Sequence, residues 1–117
     1  MSNERNGNAG AEYVVIIAPA ANDRMFDHYE FLARVSEAAA RKLLSRLLKD
    51  IRSLGFMPYR NPVFNCPYLK SSKYRYMISC DRYRIVYQIE NDTVFVDDIQ
   101  DCRNTLAQCK SYAQLTL

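Results

Sequence analysis

From Lys73 to Arg103 the chain reads KYRYMISCDRYRIVYQIENDTVFVDDIQDCR, with large apolar residues at alternate positions through most of it. In an extended strand, successive side chains point to opposite faces, so this rhythm predicts strands. Asn91-Asp92 is a hairpin signal and Cys80-Asp81 a weaker one, giving a three-stranded antiparallel meander that ends in TVFVDDI. In its first strand Tyr74, Tyr76 and Ile78 share one face, and Arg75, Met77 and Ser79 the other. In its second, Tyr83, Ile85, Tyr87 and Ile89 oppose Arg82, Arg84, Val86 and Gln88. A fully buried Ile contributes about 1.5 to 3 kcal/mol, so the rings and aliphatics should face a core. Arg75, Arg82 and Arg84 are then expected together on the uncovered face, with the acidic run Glu90, Asp92, Asp97, Asp98 and Asp101 after them.

Upstream the period changes. Tyr13 to Ala18 is apolar on both faces and reads as a first strand covered on both sides. Past Pro19, Met25, Phe26, Tyr29, Leu32 and Ala33 recur at helical spacing over residues 22–34, with Asn22 or Asp23 as N-cap. Ser36 restarts the pattern: Ala40, Leu43, Leu44, Leu47, Ile51 and Leu54 line a second helix, and Gly55 stands where a C-cap glycine would. So short a break between helices predicts a hairpin. Arg41, Lys42, Arg46, Lys49 and Arg52 lie mostly off the apolar stripe; a solvated surface is the plain reading, a partner surface the sharper one. Pro58, Pro62 and Pro67 keep residues 56–72 from forming a long helix or a central strand, leaving an extended segment that docks in short pieces.

Residues 1–12 lack large apolar side chains after Met1 and read as a flexible tail; residues 104–117, with Leu106, Ala107, Tyr112 and Leu115, read as a short helix or docked tail. The expected organisation is one α+β domain over residues 13–117: an N-terminal strand, a helical hairpin, and the meander packed on the helices.

Composition narrows the class without naming it. At 117 residues, 49% hydrophobic and 25% charged, the chain can bury one core. A net charge of +3 is too small to argue nucleic-acid binding from the total. Cys66, Cys80, Cys102 and Cys109 form no C-x-x-C pair and stand far from the single histidine, His28, so zinc spacing is missing. No export signal is evident, and the apolar run from Tyr13 is short of the ~20 residues a membrane helix needs; reduced thiols, a cytoplasmic location and no membrane partner are expected. His28, between Asp27 and Glu30, reads as a surface side chain.

The order of strand, helical hairpin and meander, with YRIVYQI at Tyr83–Ile89 and DDIQDCR at Asp97–Arg103, resembles the RelE/ParE superfamily of toxins from bacterial type II toxin–antitoxin modules. SLGFMPYRNPVF, after the helices, is similar to ParE-like members. The resemblance implies a cytoplasmic toxin neutralised by a cognate antitoxin, as a homodimer or in a heterotetramer with that antitoxin. It leaves two targets: RelE-like toxins cleave ribosome-bound mRNA without a metal, whereas ParE-like toxins poison DNA gyrase. For a RelE-like endoribonuclease, the resemblance assigns catalytic roles to Arg75, Arg84 and Arg103, with Tyr112, near Cys109, as a weak acid/base. This chain departs from that pattern at Met77, where a second basic residue belongs and a thioether can neither hold a phosphate nor move a proton. Asp97, Asp98 and Asp101 would repel an RNA backbone if they shared its cleft. Asp98 and Asp101 also lack the phosphate cradle that a Mg²⁺ nuclease needs, so no metal and no cofactor is expected. The favoured expectation is a toxin that acts by binding, with Arg82, Arg84, Asp97, Asp98, Asp101 and Arg103 as partner-binding residues.

Overall fold

The structure is a computed structural model and describes residues 12–65 and 73–104. In chain order its elements are β1 (Val14–Ile17), α1 (Pro19–Ala33), α2 (Glu37–Ser53), β2 (Tyr74–Ser79), β3 (Tyr83–Glu90) and β4 (Thr93–Asp101), with single 3₁₀ turns at Pro58–Arg60 and Cys102–Asn104. The strands form one sheet in the order β1-β4-β3-β2. β1 runs parallel to β4, and the other neighbours are antiparallel. Expectations for residues 1–11, 66–72 and 105–117 lie outside the described residues.

Leu43, Leu47, Ile51 and Leu54 from the α2 segment and Ala21 and Met25 from α1 seal one face of the sheet against Tyr83, Ile85, Tyr87, Val94, Val96 and Ile99. The expected α+β layering and the orientation of β3 are therefore present. α2 starts as its sequence predicts, with Ser36 Oγ accepting a hydrogen bond from Ala39 N at 3.1 Å. α1 starts earlier than predicted. Ala18 is its N-cap, without a side-chain bond, and Asn22 and Asp23 lie inside the helix. Pro19 explains the shift, because its fixed φ and missing N–H suit the first helical position.

Gly55 also has a different role. Leu54 ends the helix in a right-handed conformation, and no described glycine has positive φ. Instead, Gly55 O accepts from Tyr13 N at 2.7 Å, and a Cβ on Gly55 would meet Tyr13 O at 3.1 Å. The small residue lets the start of β1 approach the end of α2. Capping falls to Arg60, whose guanidinium donates to the carbonyls of Ser53, Phe56 and Met57 and to Ser53 Oγ.

β1 is not covered on both sides. Val15 and Ile17 pack on the core, but Val14 and Ile16 are 59% and 45% exposed. The helices lie on one face only, and β1 is an edge strand.

The largest correction concerns β2. Ser79 pairs with Tyr83, Met77 with Ile85 and Arg75 with Tyr87, so these residues share the helix-covered face. Tyr74 and Tyr76 point the other way, against Phe64 and Val86 in a second apolar cluster. The cause is loop length. Cys80 and Asp81 take positive φ of 57° and 56°, and Arg82, whose N–H donates to Ser79 O at 3.2 Å, also belongs to the turn. One residue more than a two-residue hairpin reverses the facing of the whole strand. Arg75, Arg82 and Arg84 consequently do not lie together on one face.

Candidate functional site

Each arginine singled out by the sequence has its own setting. Arg75, on the helix side of β2, donates to Asn61 O at 2.6 Å and Tyr59 O at 3.3 Å, with its guanidinium 5.1 Å from the Tyr59 ring centre. It holds the loop that follows α2. Tyr87 completes that clamp by donating its hydroxyl to Pro58 O at 2.6 Å and accepting from Asn61 Nδ2 at 3.0 Å. Burial pushes the Tyr87 phenol above its ordinary pKa, with the Asn61 bond opposing the shift.

Arg84 faces the other side of the sheet. Its guanidinium lies 5.0 Å from the Phe64 ring centre and 5.2 Å from that of Tyr76, and it donates to Gln100 Oε1 at 3.1 Å. A cation desolvated against aromatic faces gains about 2 kcal/mol. This explains how a charged residue can line an apolar cluster.

Arg82 and Arg103 are brought together, by Asp101. Arg82 reaches its carboxylate at 3.0 Å and Arg103 at 3.1 Å, and the Arg103 backbone N–H donates to it at 3.0 Å. Asp101 is itself buried. Buried Asp98 accepts from Ile99 N at 2.8 Å and pairs with Arg24 on α1 at 3.5 Å. Asp97 sits where the β3–β4 register shifts by one residue, and accepts from Gln88 Nε2 at 2.6 Å. Burial raises the Asp97 carboxyl above its ordinary value, against hydrogen bonds from Gln88 and Tyr74 that lower it. Asp97, Asp98 and Asp101 are thus answered by donors within the chain, while Glu90 and Asp92 are exposed.

For the nucleolytic constellation, Arg75 and Arg84 lie on opposite faces of the sheet, and Met77 packs on the core. Tyr112 and Cys109 lie outside the described residues. His28 is not a plain surface residue: its Nε2 is 2.7 Å from Ile99 O, and its ring centre is 4.9 Å from that of Tyr83. Sequence reasoning missed Arg24, although Arg24 and His28 are four residues apart and so share a helix face. That face meets β4, where Asp98 and Ile99 provide the acceptors.

Outside these internal contacts, Arg41, Lys42, Arg46, Lys49 and Arg52 are exposed along α2, with Arg41 pairing Glu37 and Arg46 pairing Asp50. Phe26, Phe31 and Val35 are exposed on and just beyond α1, as Val14 and Ile16 are on β1. Among the described residues, no helix is long and apolar enough to cross a membrane.

Comparison with known proteins places this arrangement. A solved structure described as the chromosomal ParDE TA system from P. aeruginosa has the same fold, with a TM-score of 0.64 at 8% sequence identity, covering 78% of this chain and 97% of that one. No curated protein matches the sequence. The family model for the ParE toxin of the type II toxin-antitoxin system, parDE, matches residues 15–105, and the chain belongs to that family.

Proposed function

We propose that this chain is the toxin of a type II toxin–antitoxin pair, that it inhibits growth by binding a macromolecular target, and that DNA gyrase is that target. Family membership supports the toxin role. The observation that carries binding over RNA cleavage is the separation of Arg75 from Arg84, which keeps the two guanidiniums from converging on one phosphate. A cognate antitoxin neutralises it by laying an amphipathic helix or strand over exposed apolar side chains, either Phe26 and Phe31 on α1 or Val14 and Ile16 on the uncovered face of β1, a recognised mode of peptide docking. Arg82, Arg84, Asp97 and Arg103 remain candidate partner contacts. Asp98 and Asp101, buried and paired within the chain, would contribute by holding Arg24, Arg82 and Arg103 in place.

The test is expression from a tightly repressed promoter, with and without the neighbouring small reading frame, while DNA, RNA and protein synthesis are followed. Filamentation with DNA-damage signalling, relieved by the neighbour, is the expected result. Rapid loss of translation with cut mRNA would instead establish a RelE-like endoribonuclease, and no growth effect would indicate a chain that keeps the fold without the toxicity.

A further inference from the structure

At the end of the sheet, where the β2–β3 turn meets the helical hairpin, a cleft of about 520 Å³ opens between the elements. Its volume lies in the range of small-molecule sites, roughly 300 to 1,000 Å³. Leu32 from α1, Leu43 from α2 and Tyr83 from β3 supply apolar lining, and Lys42, Arg46 and Arg82 bring three cations to the same cleft. The cations are not equivalent. Arg46 faces Asp50 at 3.3 Å and Arg82 faces Asp101 at 3.0 Å, so each already has a counter-charge. Lys42 is exposed and makes no ion pair among the described residues. Lys42 is thus, among the described residues, the cleft cation with no counter-charge, beside an apolar bed, while Arg82 shares Asp101 with Arg103.

We propose that this cleft binds small amphipathic monocarboxylates, with the apolar body against Leu32, Leu43 and Tyr83 and the carboxylate at Lys42. A multiply charged anion would have to compete with Asp50 and Asp101 for the two arginines, whereas one carboxylate complements Lys42 without breaking either pair. An uncharged amphiphile would fill the bed and leave the cation unanswered. The inference rests on the cleft alone and holds whatever the toxin's target.

The probe is sodium octanoate, titrated into the full chain by calorimetry and by amide chemical-shift mapping, with octan-1-ol and octylammonium as controls of equal chain length. Octanoate should saturate one site, shift the amides of Leu32, Lys42 and Tyr83, and bind about tenfold more tightly than octan-1-ol, with octylammonium weaker still. Lys42→Glu should weaken octanoate about fivefold while leaving octan-1-ol unchanged. Because Lys42 is exposed, circular dichroism should show the variant folded; if it is not, the ranking of the three probes on the unaltered chain decides. Equal affinity for octanoate and octan-1-ol, or shifts confined to another surface, would overturn the proposal. So would tighter binding of an acidic, leucine-containing peptide than of octanoate, which would make the cleft a protein-docking site.

Discussion

The two faces of the sheet are held by different physics. Against the helices, Ile85, Val94, Val96 and Ile99 are fully buried among Leu47, Ile51 and Met25, and the stabilisation scales with apolar area removed from water. On the opposite face a thinner apolar cluster of Phe64, Val86, Tyr74 and Tyr76 is completed by the Arg84 guanidinium, and by a half-buried carboxylate–amide contact between Asp97 and Gln88. The centre of the first face is wholly apolar, and its charges, Arg75 and Asp101, stand toward its ends, each with partners. The second uses charge, provided that rings or hydrogen bonds answer it. Adjacent residues of β3 should consequently respond very differently to substitution.

The largest expected effect is Ile85→Asp. Ile85 lies between Met77 and Ile99 with no exposed surface, so the new carboxylate would be buried without a partner. A loss of about 4 to 5 kcal/mol or more would remove most of a small domain's stability. Urea unfolding, or failure to recover folded protein, measures it. A folded, cooperative Ile85→Asp chain would break the distinction between the faces.

Asp101→Asn comes next and probes the place where the covered face ends in charge. Asp101 accepts from Arg82 and Arg103, and hydrogen bonds to charged groups are worth about 1.5 to 3 kcal/mol, which sets the expected loss at neutral pH. Arg82→Ala combined with Asp101→Asn should cost less than the sum of the two single changes, because they share one interaction. Strict additivity would mean that the pair is incidental.

Arg84→Ala should cost about 1 to 2 kcal/mol, chiefly through the lost stacking on Phe64 and Tyr76, and should leave the fold intact by circular dichroism. Arg84→Lys should recover only part of the loss, since an ammonium lacks the planar surface that stacks on two rings. Full recovery by lysine would show that charge, not shape, matters there.

How much of this was legible depends on where a single residue could change the parity. β3 was readable because Tyr83, Ile85, Tyr87 and Ile89 are all large and apolar, leaving one register that buries them. The helical hairpin was readable for the same reason, through Leu43, Leu47 and Ile51. β2 was not, because YRYMIS offers rings in one register and Met77 in the other, and both can be buried when Phe64 covers the second face. Its facing is set by whether the turn holds Cys80-Asp81 or Cys80-Asp81-Arg82, and that choice leaves no trace in hydrophobic pattern. The separation of Arg75 from Arg84 follows from that one residue. The candidate residues were identified by type; their grouping depended on backbone geometry, in the turn and in the register shift beside Asp97.

The smallest effect, at Asp97, tests whether the polar face carries a cost. Burial raises this carboxyl above its ordinary value of 3.8, so the folded chain binds the proton more tightly than the unfolded chain does. Between 3.8 and the raised value the folded state holds more protons; stability from this group must therefore fall as pH rises through that window, and remain lower above it. Asp97→Asn keeps a carbonyl oxygen to accept from Gln88 and has no charge to desolvate. The variant should lose the downward step and be slightly more stable than the parent at neutral pH, by urea unfolding on either side of the window. If it is instead less stable at neutrality and keeps the step, the hydrogen bonds to the ionised carboxylate outweigh its desolvation, and this polar contact stabilises the second face as directly as aliphatic packing stabilises the first.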